Sequence, residues 1–126
     1  MSRHEDEVRL RHMLDHAREA AHMASGRTRA DLDADRQLGL ALVRLLEIVG
    51  EAASRVTKTT CRSHPQVPWP QIVSLRNRLI HGYDAVDYDV LWKVIEEDLP
   101  PLINKLTAIL KPSSSQPGSG PVTQGP

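Results

Sequence analysis

Residues 38–52 read Leu38-Gly39-Leu40-Ala41-Leu42-Val43-Arg44-Leu45-Leu46-Glu47-Ile48-Val49-Gly50-Glu51-Ala52. Leu38, Leu42, Leu45, Val49, Ala52 and, beyond the stretch, Val56 return every three or four residues, the repeat of one face of an α-helix. Ala41, Leu46 and Ile48 widen that stripe into a core-facing surface. The spacing predicts a long central helix over roughly 35–59. Toward the N-terminus, Ser2 followed by Glu5 fits a capping box, and Leu10, Met13, Leu14, Ala17, Ala21 and Ala24 recur at helical spacing. This first helix is expected to run to about Ser25, with Gly26 ending it. The stretch between the two helices reads as a polar turn rich in Asp and Arg.

Downstream, His64-Pro65-Gln66-Val67-Pro68-Trp69-Pro70 cannot be helical in its middle, because each proline lacks a backbone donor and constrains the residue before it. A third helix is expected over Ile72, Val73, Leu75, Leu79 and Ile80, with proline at its start and Gly82 at its end. Asp87 or Asp89 can cap a fourth, carrying Val90, Leu91, Val94 and Ile95, until Pro100-Pro101 kinks or breaks it. Leu102, Ile103, Leu106 and Ile109 mark a last helix over about 101–110. No run alternates with period two, so the expectation is an all-α, up-and-down bundle of four or five helices over residues 1–110. Residues 111–126, rich in Pro, Ser and Gly and without an apolar anchor, are expected to form a disordered tail.

At 126 residues the chain has room for one modest core. Lys plus Arg and Asp plus Glu number 16 each, so no global field draws it to a polyanion, and RNA binding requires a local patch. One cysteine, Cys61, excludes an internal disulfide, and the charged start is unlike a secretory signal, which makes a reducing cytoplasm the expected compartment. No apolar run approaches the roughly 18 residues of a membrane span. With no Phe, two Trp and two Tyr, readout of bases on an aromatic platform is disfavoured.

The chemistry is concentrated in Leu75-Arg76-Asn77-Arg78-Leu79-Ile80-His81-Gly82-Tyr83. Attack of an RNA 2′-hydroxyl on the adjacent phosphate needs a group that titrates near neutrality and a cation for the charge gathering on phosphorus. Histidine and arginine are those groups, and no metal or cofactor is demanded. A flanking arginine is expected to bias the imidazole toward its neutral form. On one regular helix, Arg76 lies about 140° from His81. Either the last turn opens at Gly82, or a second copy of the chain completes the site across a two-fold axis, and the dimer is the favoured reading.

Arg76 through His81 matches the Arg-x4-His element of the HEPN superfamily, and Tyr83 extends it to the Arg-x4-His-x-Tyr form. The chain thereby resembles HepT-like toxins. Leu46 to Ala52, Val67-Pro68-Trp69, Val86-Asp87, Trp92 and Asp98-Leu99-Pro100 resemble the same family's framework, over roughly residues 5–110. The resemblance implies a dimeric, metal-independent endoribonuclease toxin of a toxin–antitoxin pair, with Arg76 and His81 catalytic and Asn77 a polar member of the site. It further implies an MntA-like nucleotidyltransferase antitoxin that transfers AMP to Tyr83, putting negative charge where the RNA phosphate should sit.

Beside these stand plainer readings. Glu47 and Glu51 can orient Arg76 or pair locally with Arg44 and Arg55, the local pairing being the simpler. Glu51 and Arg78 are taken as supporting the site, Arg78 by binding phosphate, although a solvated arginine is an equal alternative. Trp69 and Trp92 read as core or interface anchors. His12 and His16 with Asp15, His4 and His22 allow a metal site, but a solvated helix face accounts for them more simply. The alternative to catalysis is a non-catalytic helical dimer that uses the same surface to bind RNA or a partner protein.

Overall fold

The computed structural model describes residues 3–83 and 85–111. Helix α1 (Arg3–Ala24) and helix α3 (Arg36–Ser54) pack along one another, and α8 (Leu99–Leu110) lies against α1. Their shared interior holds Met13, Leu42, Leu46, Val49 and Leu106, all but inaccessible to water. These are residues of the stripes read from the sequence, and they give the all-α architecture expected. Gly26, at φ +76°, terminates α1 as anticipated, because the left-handed region costs glycine no side-chain clash. The expected Ser2 cap lies outside the described residues, as does all but the first residue of the expected tail.

Several elements are shorter than the periodicity suggested. The polar turn contains a short helix, α2 (Arg29–Ala34), opened by Thr28, whose N–H donates to the Asp31 carboxylate. Asp35 accepts from the Leu38 N–H and starts α3. That helix stops at Ser54 rather than near residue 59, and α4 (Lys58–Ser63) restarts the chain with Thr57 as its cap. The Asp6 carboxylate holds this break in place: although 4 % exposed, it accepts from the Thr57 N–H and from the Thr57 and Thr60 hydroxyls. Burial pushes the Asp6 carboxyl up, but those hydrogen bonds outweigh it and leave the group below its ordinary 3.8.

The region expected as a third helix is three pieces. Helix α5 (Trp69–Val73) and helix α6 (Leu75–Leu79) meet at Ser74, whose hydroxyl bonds back to the Gln71 carbonyl. The helix is over before Ile80, and Ile80–His81 (β1) pairs antiparallel with Ala85–Val86 (β2) in the register Ile80–Val86 and His81–Ala85. The period-two test overlooked this ladder because two residues per strand are too few to show alternation. Gly82, at φ +70°, turns that hairpin and does not end a helix.

Asp87 caps α7 (Tyr88–Lys93) by accepting from the Val90 N–H. The two prolines downstream do not interrupt the helix. A π-helical turn over Val94–Asp98 joins α7 to α8, with the Leu99 N–H donating five residues back to the Val94 carbonyl. Pro100 and Pro101 then fall in the first turn of α8, where a missing donor costs least, and the widened turn relieves the clash between a proline ring and the carbonyl behind it. The expected fourth and fifth helices are therefore one rod.

Candidate active site

The site is built where α3 meets α5 and α6. Gly50 makes that approach possible: a Cβ there would stand 2.9 Å from the Ile72 carbonyl oxygen and 3.6 Å from the Leu75 Cβ. With the backbones this close, the α3 carboxylates can reach side chains of α6. Arg76 Nε donates to Glu47 Oε2 at 3.1 Å. Arg76 remains 65 % exposed while Glu47 is 20 % exposed, so the pair is an anchored carboxylate with a guanidinium that still faces water. An exposed ion pair of this kind is worth about 0–1 kcal/mol, which lets the guanidinium exchange its partner for a phosphate at little cost. Glu47, Glu51, Val73, Arg76 and Asn77 line one shallow recess.

His81 lies on β1 rather than on the helix, so the angular separation expected along a regular helix does not apply. Its Nε2 is 3.4 Å from Asp87 Oδ2, and the imidazole is 64 % exposed. Among the described residues the group that bonds to the ring is a carboxylate, not an arginine. Asp87 itself is held below the usual carboxylate range, first by the Val90 N–H; burial opposes this, and His81 lowers it further. The Asp87 N–H also donates to the Leu79 carbonyl at 2.8 Å and closes the base of the hairpin. Tyr83, two residues past His81 at the hairpin tip, is 94 % exposed. Among the described residues no hydrogen bond or ion pair joins Arg76 to His81; each has its own carboxylate.

The remaining candidates divide. Glu51 pairs with Arg55 at 2.9 Å, one turn along its own helix, while still bordering the Arg76 recess. Glu47 takes the long-range partner, so of the two glutamates one follows each reading. Arg78 donates to Asp98 Oδ2 at 3.1 Å and lines a different recess, with Leu75, Val94 and Lys105, away from Glu47. Trp69 is half-buried, its indole N–H donating to the His64 carbonyl, and Trp92 packs against the core. His16 bonds back to the His12 carbonyl, and among the described residues no three of His, Cys, Asp and Glu gather to hold a metal ion. Cys61 is half-buried within α4, where burial and the Asp6 charge push its thiol up.

From the sequence Asp87 reads as a helix cap and, with Val86, as part of the family framework, but not as a partner of His81. Its second contact left no signal in the pattern, because the two-residue strands that fold residue 87 back toward residue 81 are too short to alternate.

An exposed imidazole and an exposed guanidinium thus stand on neighbouring elements of a helical scaffold. Residues 13–109 match the family model described as "Ribonuclease HepT-like", and the chain belongs to that family. It is 40 % identical over 81 residues to "Probable ribonuclease HepT" of Thermococcus cleftensis, an overlap of 64 % of this chain and 74 % of that one. It is 42 % identical over 66 residues to "Putative RNase MJ1380" of Methanocaldococcus jannaschii, covering 52 % of this chain and 61 % of the other. "Putative RNase TTE0752" of Caldanaerobacter subterraneus subsp. tengcongensis is 34 % identical over 102 residues, 81 % of this chain and 91 % of its own. No solved structure matches the chain. No helix among the described residues is long and apolar enough to cross a membrane.

Proposed function

We propose that this chain is a metal-independent endoribonuclease toxin of a type II/VII-like toxin–antitoxin pair, with Arg76 and His81 as its catalytic residues. The observation that carries the reading is the presentation of both groups to solvent, 65 % and 64 % exposed, from the adjacent elements α6 and β1. His81 takes the proton of an RNA 2′-hydroxyl as its oxygen attacks the neighbouring phosphorus. The bond from phosphorus to the 5′-oxygen then breaks, and the same imidazole returns the proton to that oxygen. Arg76 leaves Glu47 for the phosphate oxygens and stabilises the charge that peaks in the transition state. Asn77, beside Arg76 in the recess, adds a neutral donor. Glu51 borders the same recess, and Arg78 can bind the RNA backbone farther along if Asp98 releases it.

The partners proposed with this activity are an RNA substrate, a second copy of the chain, and an MntA-like nucleotidyltransferase antitoxin in the same cytoplasm. The antitoxin joins AMP from ATP to the Tyr83 oxygen with release of pyrophosphate. The exposure of Tyr83 leaves its phenol accessible to such an enzyme, and the added phosphodiester repels RNA from His81. The test is digestion of end-labelled RNA in the presence of a chelator by protein whose intact mass shows Tyr83 unmodified. Products ending in 2′,3′-cyclic phosphate and 5′-hydroxyl are expected. RNA that is bound and left intact would support the non-catalytic dimer instead.

A further inference from the structure

We infer that Asp87 is the positioning residue of the site and that it leaves His81 Nδ1, not Nε2, as the atom that exchanges protons with RNA. This rests on the ribonuclease reading above but concerns an arrangement present in the free protein. Asp87 Oδ1 accepts from the Val90 N–H, which fixes the carboxylate on the first turn of α7. Its other oxygen faces His81 Nε2 at 3.4 Å. An ionised carboxylate accepts hydrogen bonds and donates none, so the nitrogen facing it is the one that carries hydrogen in the neutral ring. The bare nitrogen is then Nδ1.

The hydrogen bonds of the hairpin hold the arrangement. The Asp87 N–H bond to the Leu79 carbonyl sets the distance from residue 87 to β1, and the Ile80–Val86 and His81–Ala85 register sets the face on which the ring stands. The other charged side chains of α6 are held elsewhere, Arg76 by Glu47 and Arg78 by Asp98, so among these groups Asp87 alone bonds to the ring. In the reaction, the 2′-hydroxyl proton passes to Nδ1 as the new oxygen–phosphorus bond forms. The imidazolium then carries hydrogen on both nitrogens, with Nε2–H still against Asp87, and Nδ1 returns its proton to the departing 5′-oxygen. The cycle consumes nothing and restores the starting tautomer.

The deciding experiment is nitrogen NMR of His81 in the full chain, with Asp87→Asn and Asp87→Ser beside it. Asparagine and serine both remain good helix caps, so α7 is retained. In the parent, the neutral ring is expected with hydrogen on Nε2. In Asp87→Asn the amide can cap through its oxygen and present its NH2 to the ring, which inverts the preference toward hydrogen on Nδ1; Asp87→Ser, with no group reaching Nε2, gives a mixture. Cleavage by Asp87→Asn is expected to fall about 100-fold in kcat with KM unchanged, the scale of one acid–base contribution. A parent ring already protonated on Nδ1, or an Asp87→Asn ring that keeps the parent tautomer, would overturn the inference even if the protein cleaves RNA. Conversely, the expected tautomers in a protein that cleaves no RNA would sustain the positioning role and sink the ribonuclease reading.

Discussion

Tyr83 exposes almost its whole side chain at a hairpin tip, where packing supplies no reason for a phenol. Its ring is therefore available to a modifying enzyme while contributing little to stability. Replacing it by phenylalanine should leave RNA cleavage within about twofold of the parent, because the residue takes no part in proton transfer, and surface changes of this kind cost under about 0.5 kcal/mol. The same variant should gain no AMP when incubated with the cognate nucleotidyltransferase and ATP, as read by intact mass. A variant that still gains AMP would put the modification on another residue. At this scale the sequence was most informative about residue types and least about their partners. Arg76 and His81 stand out as chemistry wherever they lie, but Glu47 is 29 residues from Arg76 and reaches it only because Gly50 lets α3 and α5 touch. Asp87 was legible as a cap, and its contact with His81 depended on a hairpin too short to leave a pattern.

The elements tell a similar story with a different cause. Long stripes such as that of α3 survive in the fold because burying so many apolar groups outweighs local preferences. The breaks at Ser54 and Ser74, and the continuity through the π-helical turn at Val94–Asp98, arise from hydrogen-bond arrangements that a periodicity count ignores. Asp6 illustrates the point, since a residue on α1 stabilises the junction of α3 and α4 through Thr57 and Thr60. Its folded carboxyl sits below the ordinary 3.8, so the unfolded chain binds the proton more readily. The stabilisation is thus full above that value and is lost as pH falls through the lower, folded one. Thermal melts from neutrality downward should show a falling Tm below about pH 4, with the fall blunted in Asp6→Asn. An acid limb of the same steepness in the variant would assign it to other carboxylates, Asp87 among them.

For the whole molecule, the question is how a protein with no net charge holds a polyanion. Arg76, Asn77 and His81 lie on α6 and β1, whereas Arg78 turns toward the π-helical turn, so one copy presents a small patch. A second copy across a two-fold axis would double the local positive charge without changing the overall balance. Analytical ultracentrifugation is accordingly expected to give a dimer at micromolar concentration, and a monomer there would require each chain to bind RNA alone. The central claim is that His81 and Arg76 cleave RNA without metal. Its most direct test is single-turnover cleavage of a labelled RNA in chelator by the parent, His81→Ala and Arg76→Ala, all folded by circular dichroism. Cleavage by the parent and a loss of at least about 100-fold in each variant are expected; equal rates in all three, or cleavage by the parent that the chelator abolishes, would rule out that chemistry.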